Sequence, residues 1–224
     1  MVQFRLNLPA IEACLRDVQN NFQRINENLD DYRDPLTDEV VGNMMAGYQR
    51  VDQIIGNGTD LFALGNSRHI LELNDLVLCR GDRTDTCCSP EHFRANERRF
   101  YDDRRGGIRD LMEWLEFHSE DPLWERVAGT YVRILSTPQL YIEGNHRTGA
   151  LIMSYLLARE GRPPFVLTVD NAKAYFDPSS LIKKTHKGGI AMLIKIPGLR
   201  KAFSQFLKDQ ADDRFLLKVK RYQR

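Results

Sequence analysis

The run from Gln139 to Arg147, QLYIEGNHR, concentrates residues that could do chemistry. Pro138 ends the helical pattern before it, and an apolar helix opens near Arg147. Backbone N–H groups at such a helix start point one way, and the helix dipole favours an anion there. Gly144 permits a tight or left-handed turn and lets a ligand approach the main chain. Arg147, in the first turn, opposes the usual preference for acids, which makes sense if it faces a phosphate. Glu143 beside a phosphate cradle is a natural Mg²⁺ ligand, because magnesium is usually held by one or two carboxylates plus phosphate oxygens. Together these residues imply a nucleotide-phosphate site. The same pattern also suits a capped helix with surface charges.

The elements that must position this loop read as helices. Ile11, Cys14, Leu15, Val18, Phe22, Ile25 and Leu29 step by three and four residues. Thr37 is a plausible N-cap before Asp38 and Glu39, opening a helix that buries Val40, Met44, Tyr48, Val51 and Ile55 and stops at Gly56-Asn57-Gly58. A third helix runs from about Ser67 through Ile70, Leu71, Asn74, Val77 and Leu78 to Gly81. Residues 81–106 have few aliphatics and many turn formers, and read as a long surface excursion holding a short hairpin. Helices resume at Ile108 and Trp124. The helix after the loop is apolar on nearly all sides and so belongs at the centre. Shorter helices follow, with breaks at Asp177-Pro178, Gly188-Gly189 and Pro197-Gly198. The expected fold class is all-α, with an N-terminal helix (1–34), a core (35–165) and a helical extension with a basic tail (166–224).

At 224 residues, 42% hydrophobic and 28% charged, the chain is ordinary for one soluble domain with a small extension. Its net charge of +1 argues against a histone-like tail or an acidic solvating segment. No apolar run approaches a membrane span, and no signal peptide is visible, so a cytoplasmic protein is expected. The cysteines Cys14, Cys79, Cys87 and Cys88 then read as reduced thiols. Cys79, Cys87, Cys88 and His92 invite a zinc reading, but lack the paired spacing of strong zinc motifs. Seven basic residues and no acid lie between Ser179 and Lys208, which suits a solvated helical face or an acidic or nucleic-acid partner.

The loop resembles the signature of Fic-domain proteins, H-x-F-x-(D/E)-G-N-G-(R/K)-x-x-R, set between two core helices. HILELNDLVLCRG, EHFRANERRFYDDRRGGIRDLMEWLE and GALIMSYLLAREGRPP resemble the helix before the family's flap, the flap with its following helix, and the central helix. The resemblance covers about residues 35–165, and more loosely reaches about 215. It implies a Fic-type helical bundle with a β-hairpin flap. It also implies a transferase moving AMP from ATP, or a related phosphate-bearing group, to a Ser, Thr or Tyr hydroxyl of a protein target. By position Glu143 would hold Mg²⁺, Gly144 and Asn145 would form the anion hole, and Arg147 would steady the polyphosphate.

The departures are equally specific. The family histidine falls on Gln139, the second motif glycine on His146, the final arginine on Ala150, and the phenylalanine on Tyr141. Glutamine cannot take a proton at neutral pH, and losing a general base typically costs about 10²–10⁴-fold. Ala150 lacks the guanidinium that would grip the terminal phosphates. His146 has three readings: a relocated general base, a ligand contact together with Gly144, Asn145 and Arg147, or a structural cap. The functional expectation is a Fic-like protein binding a nucleotide or other phosphate-bearing ligand with altered or reduced AMP transfer. The alternatives are a Fic-fold pseudoenzyme and a basic-tailed binding protein for a protein or nucleic acid.

Overall fold

Thr37 starts the longest helix by accepting a hydrogen bond from the Val40 amide at 3.3 Å, and Gly58, left-handed at φ +69°, ends it. Such local signals set most element boundaries in the computed structural model, which describes residues 2–79, 89–104, 106–189, 194 and 196–220. The order is β1 (Val2–Leu6), α1 (Leu8–Asn20), α2 (Phe22–Asn26), α3 (Asp38–Asn57), α4 (Ser67–Cys79), α5 (Pro90–Phe100), α6 (Ile108–Phe117), α7 (Leu123–Leu135), α8 (Asn145–Arg159), α9 (Ala172–Lys183), α10 (Ile196–Asp209) and β2 (Leu216–Lys220). A 3-10 turn, Asp213–Phe215, precedes β2. The chain is all-α apart from one two-stranded antiparallel sheet.

α8 is the central helix. Leu151, Ile152, Met153, Tyr155, Leu157 and Ala158 are all buried, so it packs on several sides, against α7, α3, α4 and β1. α3 also packs on α4 and α1, and α10 covers α7. The main apolar cluster runs from Leu6 to Phe215 and draws on all three segments of the chain. A satellite cluster of Val18, Phe22, Ile25 and Ala172 ties α1 and α2 to α9.

Three local expectations differ from the structure. The strands come from the two ends of the chain, pairing Leu6 with Leu216 and Phe4 with Lys218, rather than from 90–106. There, Ser89 caps a helix that buries Phe93, Asn96 and Phe100, residues spaced three and four apart on an otherwise charged segment. Second, α9 continues through Pro178. Just after it, the hydroxyls of Ser179 and Ser180 donate back to the carbonyls of Tyr175 and Phe176. Third, Cys79 is disulfide-bonded, whereas Cys14 is a free thiol; Cys87 and Cys88 lie outside the described residues. Cysteine spacing alone could not separate a thiol from a disulfide.

Candidate functional site

The loop joining α7 to α8 is held from three sides. Thr137 donates to the Thr185 carbonyl at 2.8 Å and accepts from the Lys187 amide at 2.7 Å, so the segment after α9 clamps its start. The Thr137–Pro138 peptide is cis. Tyr141, 1% exposed, donates to the Ile70 carbonyl at 3.0 Å and stacks on Phe100 with centroids 5.5 Å apart. Ile142 donates its amide to Asn96 Oδ1 at 3.0 Å.

A chain of buried amides fixes the turn. Asn96 donates to Asn74 Oδ1 at 2.6 Å, and Asn74 donates to the Glu143 carbonyl at 3.0 Å and to Thr148 Oγ1 at 2.9 Å. Asn145 accepts from the Tyr141 amide and donates to the Tyr141 carbonyl, both at 2.9 Å. Gly144 sits between them at φ +76°, and a Cβ there would approach Asn74 Nδ2 to 2.7 Å. Glycine is therefore required twice, by conformation and by space.

Gln139 is a staple in this arrangement. Its Nε2 donates to the Leu135 carbonyl at 3.0 Å, its Oε1 faces Asn145 Nδ2 at 3.5 Å, and its own carbonyl accepts from Arg99. The α8 N-terminus has no side-chain cap and no acid in its first turn. Glu143 presents an exposed carboxylate, with 60% of its side chain accessible, 3.9 Å from Arg147. Arg147 itself reaches back to the Val77 carbonyl near the end of α4 at 2.7 Å. The loop thus brings Gln139, Glu143, Gly144, Asn145 and Arg147 together at one helix start.

His146 turns toward the core. Its Nδ1 lies 3.0 Å from the Tyr131 hydroxyl, which lies 2.9 Å from Ser179 Oγ. Ser179 donates in turn to the Tyr175 carbonyl at 2.5 Å. Burial, with the positive charges of Arg33, Lys183 and Arg147, pushes the imidazole pKa down to about 3, so the ring is neutral at physiological pH. Ala150, 6% exposed, lines a cavity of about 330 Å³ together with His146 and Arg147.

Several supporting residues carry no motif in the sequence. Asn74 is the clearest of them, a polar residue on the apolar face of α4. Lys187 is another, 4% exposed and 3.7 Å from Asp110. Desolvation drives its pKa down to about 7, against the pull of Asp110. A Cβ on Gly106 would meet the Pro138 carbonyl, Arg99 and Lys187 together, which places Lys187 and Arg99 at the entry to the loop.

In the C-terminal segment three cations pair within the chain: Lys184 with Asp31 at 3.1 Å, Arg200 with Asp121 at 3.2 Å, and Arg214 with Asp212 at 2.8 Å. Among the described residues no helix is long and apolar enough to cross a membrane. No group of three or more His, Cys, Asp or Glu that could hold a metal occurs among them either.

No protein-family model matches the chain. Over 72 residues, 31% of its length, the chain is 29% identical to protein adenylyltransferase fic-1 of Caenorhabditis elegans. That stretch spans only 14% of the relative's length. This partial likeness suggests a relationship to Fic-domain proteins.

Proposed function

We propose that this chain is a Fic-like protein that seats a nucleotide or other phosphate-bearing ligand against the backbone from Gly144 to Arg147. The observation that carries the reading is the start of α8: a left-handed Gly144 leads into a helix with no side-chain cap and no acid in its first turn. Such a terminus offers N–H groups and the positive end of the dipole to an anion. Arg147 flanks it, and the rigid amide chain through Asn74 keeps the turn preorganised.

Glu143 fits Mg²⁺ as its one protein carboxylate, with phosphate oxygens and water supplying the remaining ligands. A lone exposed carboxylate is a weak magnesium site without those phosphates, so metal and nucleotide bind together. The ion would neutralise phosphate charge.

The geometry favours binding over fast transfer of AMP to a protein hydroxyl. Gln139 cannot accept a proton, and its amide is engaged with Leu135 and Asn145. His146, its pKa pushed down to about 3 and its Nδ1 engaged with Tyr131, is a poor substitute base. This also supports the second reading, a Fic-fold pseudoenzyme that holds its ligand without transferring it. Thermal unfolding with ATP and other nucleotides, each with and without Mg²⁺, tests binding, because a ligand that prefers the native state must raise the midpoint. Loss of any nucleotide-induced shift in Arg147→Ala is expected. An unchanged shift would remove the site assignment.

A further inference from the structure

β2 is bonded to β1 along one edge, and among the described residues no strand adds to its other edge. The ladder fixes which groups face that free side. The Asn7 amide donates to the Phe215 carbonyl at 2.9 Å, one step beyond the pairing of Leu6 with Leu216. Hydrogen-bonded and non-bonded positions alternate in an antiparallel pair, so Leu217 and Val219 turn their amides and carbonyls toward β1. Those of Leu216 and Lys218 point outward. The Leu6 amide has the matching phase: opposite Leu216, it points away from β2 and donates to Asp52 Oδ1 at 2.8 Å.

The side chains give this edge a character. Leu217 and Val219, two apart and so on one face, are 44% and 43% exposed. On that face β1 places Arg5 and Gln3, which donate to Asp52 and to the Gly56 carbonyl of α3. α3 therefore covers β1 and leaves the apolar pair on β2 bare. Lys218 lies on the opposite face, exposed and in no ion pair among the described residues. From Leu216 to Arg224 the sequence has four basic residues and no acid. A second copy would bring its own lysines to this edge, and like charges across a pair are unfavourable.

We propose that the free edge of β2 docks an extended acidic segment of a partner protein, which adds to the sheet as a third, antiparallel strand. Its acidic residues lie opposite Leu216 and Lys218 and exchange main-chain hydrogen bonds with them, while its aliphatic residues alternate onto Leu217 and Val219. Charge complementarity with Lys218 selects the partner, and the open backbone holds it. None of these residues belongs to the loop before α8, so the inference goes beyond the phosphate reading.

Fluorescence anisotropy of a labelled peptide of alternating glutamate and valine, titrated with the full chain at low salt, tests it. Saturable binding is expected, weakening as salt rises. Peptides with lysine in place of glutamate, or N-methylated at the glutamates, should bind about tenfold more weakly or worse. Lys218→Glu should weaken binding by about tenfold. Lys218→Pro should abolish it, because it removes an outward N–H that the ladder to β1 does not use. Should Lys218→Pro not fold, Lys218→Glu and the methylated peptide decide the case. No binding of the glutamate peptide, equal binding of either control peptide, or indifference to the Lys218 substitutions would overturn the proposal. So would self-association of the chain in sedimentation that Lys218→Pro removes, which would assign the edge to a second copy.

Discussion

Nδ1 of His146 lies 3.0 Å from the hydroxyl of Tyr131, a fully buried residue of α7. That contact gives the one motif residue best suited to proton chemistry a core partner. A side chain at the second motif-glycine position therefore packs inward, where it supports the helix start and borders a cavity.

The neutral state of His146 has a consequence for acid stability. Its pKa is about 3 in the folded chain against 6.5 ordinarily, so between those values the unfolded state binds more protons. Stability must rise with pH across that window and fall as pH drops below 6.5. One such proton contributes a slope of at most about 1.4 kcal/mol per pH unit. His146→Gln, which can still meet Tyr131, should show a shallower loss of stability between about pH 6.5 and 3 in denaturant titrations. An unchanged slope would mean that His146 is charged in the native state.

Gly144 and Gly58 provide a matched pair. Both have positive φ, +76° and +69°, but a Cβ at Gly58 meets open space while one at Gly144 presses on Asn74. Gly58→Ala should cost about 1 kcal/mol from backbone conformation alone. Gly144→Ala should cost at least twice that by chemical denaturation, and should disturb the Asn74 and Asn96 side-chain amide resonances. Equal costs would show that the amide chain yields easily.

Lys187 should leave an alkaline signature. Its folded pKa of about 7 lies below the ordinary 10.5, so the unfolded chain binds the extra proton between those limits. Its contribution makes stability increase as pH rises through the window, and below pH 7 the penalty stays constant. Lys187→Met should flatten that rise in stability curves measured from pH 7 to 10.

AMP transfer by the unaltered chain should be slow. Gln139→His with Ala150→Arg supplies a base and a phosphate grip, and should raise self-modification by labelled ATP, by up to about 10²–10⁴-fold for the base alone. The new arginine must enter the cavity beside Arg33 and Arg147, so neither substitution alone should match the pair. Robust transfer by the unaltered chain that is lost in His146→Ala would make His146 the catalytic base.

Much of the helical plan is legible in the sequence because its signals are local. Thr37 and Gly58 bracket α3, and the all-round apolar character of α8 announces its central place. The loop residues from Gln139 to Arg147 stand out by type and spacing for the same reason. What sequence hides is long-range. Val2, Phe4 and Leu6 alternate with polar residues, but nothing nearby shows that their strand partner lies at the other end of the chain. The role of Asn74 depends on Asn96, Glu143 and Thr148, three residues from three later elements. Only its polarity on an apolar helix face hinted at it. His146 is legible as a chemical group, yet its inward turn depends on Tyr131 and Ser179, which no spacing rule connects to it.

The central claim is that the start of α8 holds phosphate. Calorimetric titration of the unaltered chain with ATP and with inorganic pyrophosphate, in the presence and absence of Mg²⁺, tests it most directly. Saturable binding to both is expected, tighter with Mg²⁺, with Glu143→Gln losing the magnesium increment and Arg147→Ala losing most of the heat. Absence of binding to either ligand at any magnesium concentration would contradict the account.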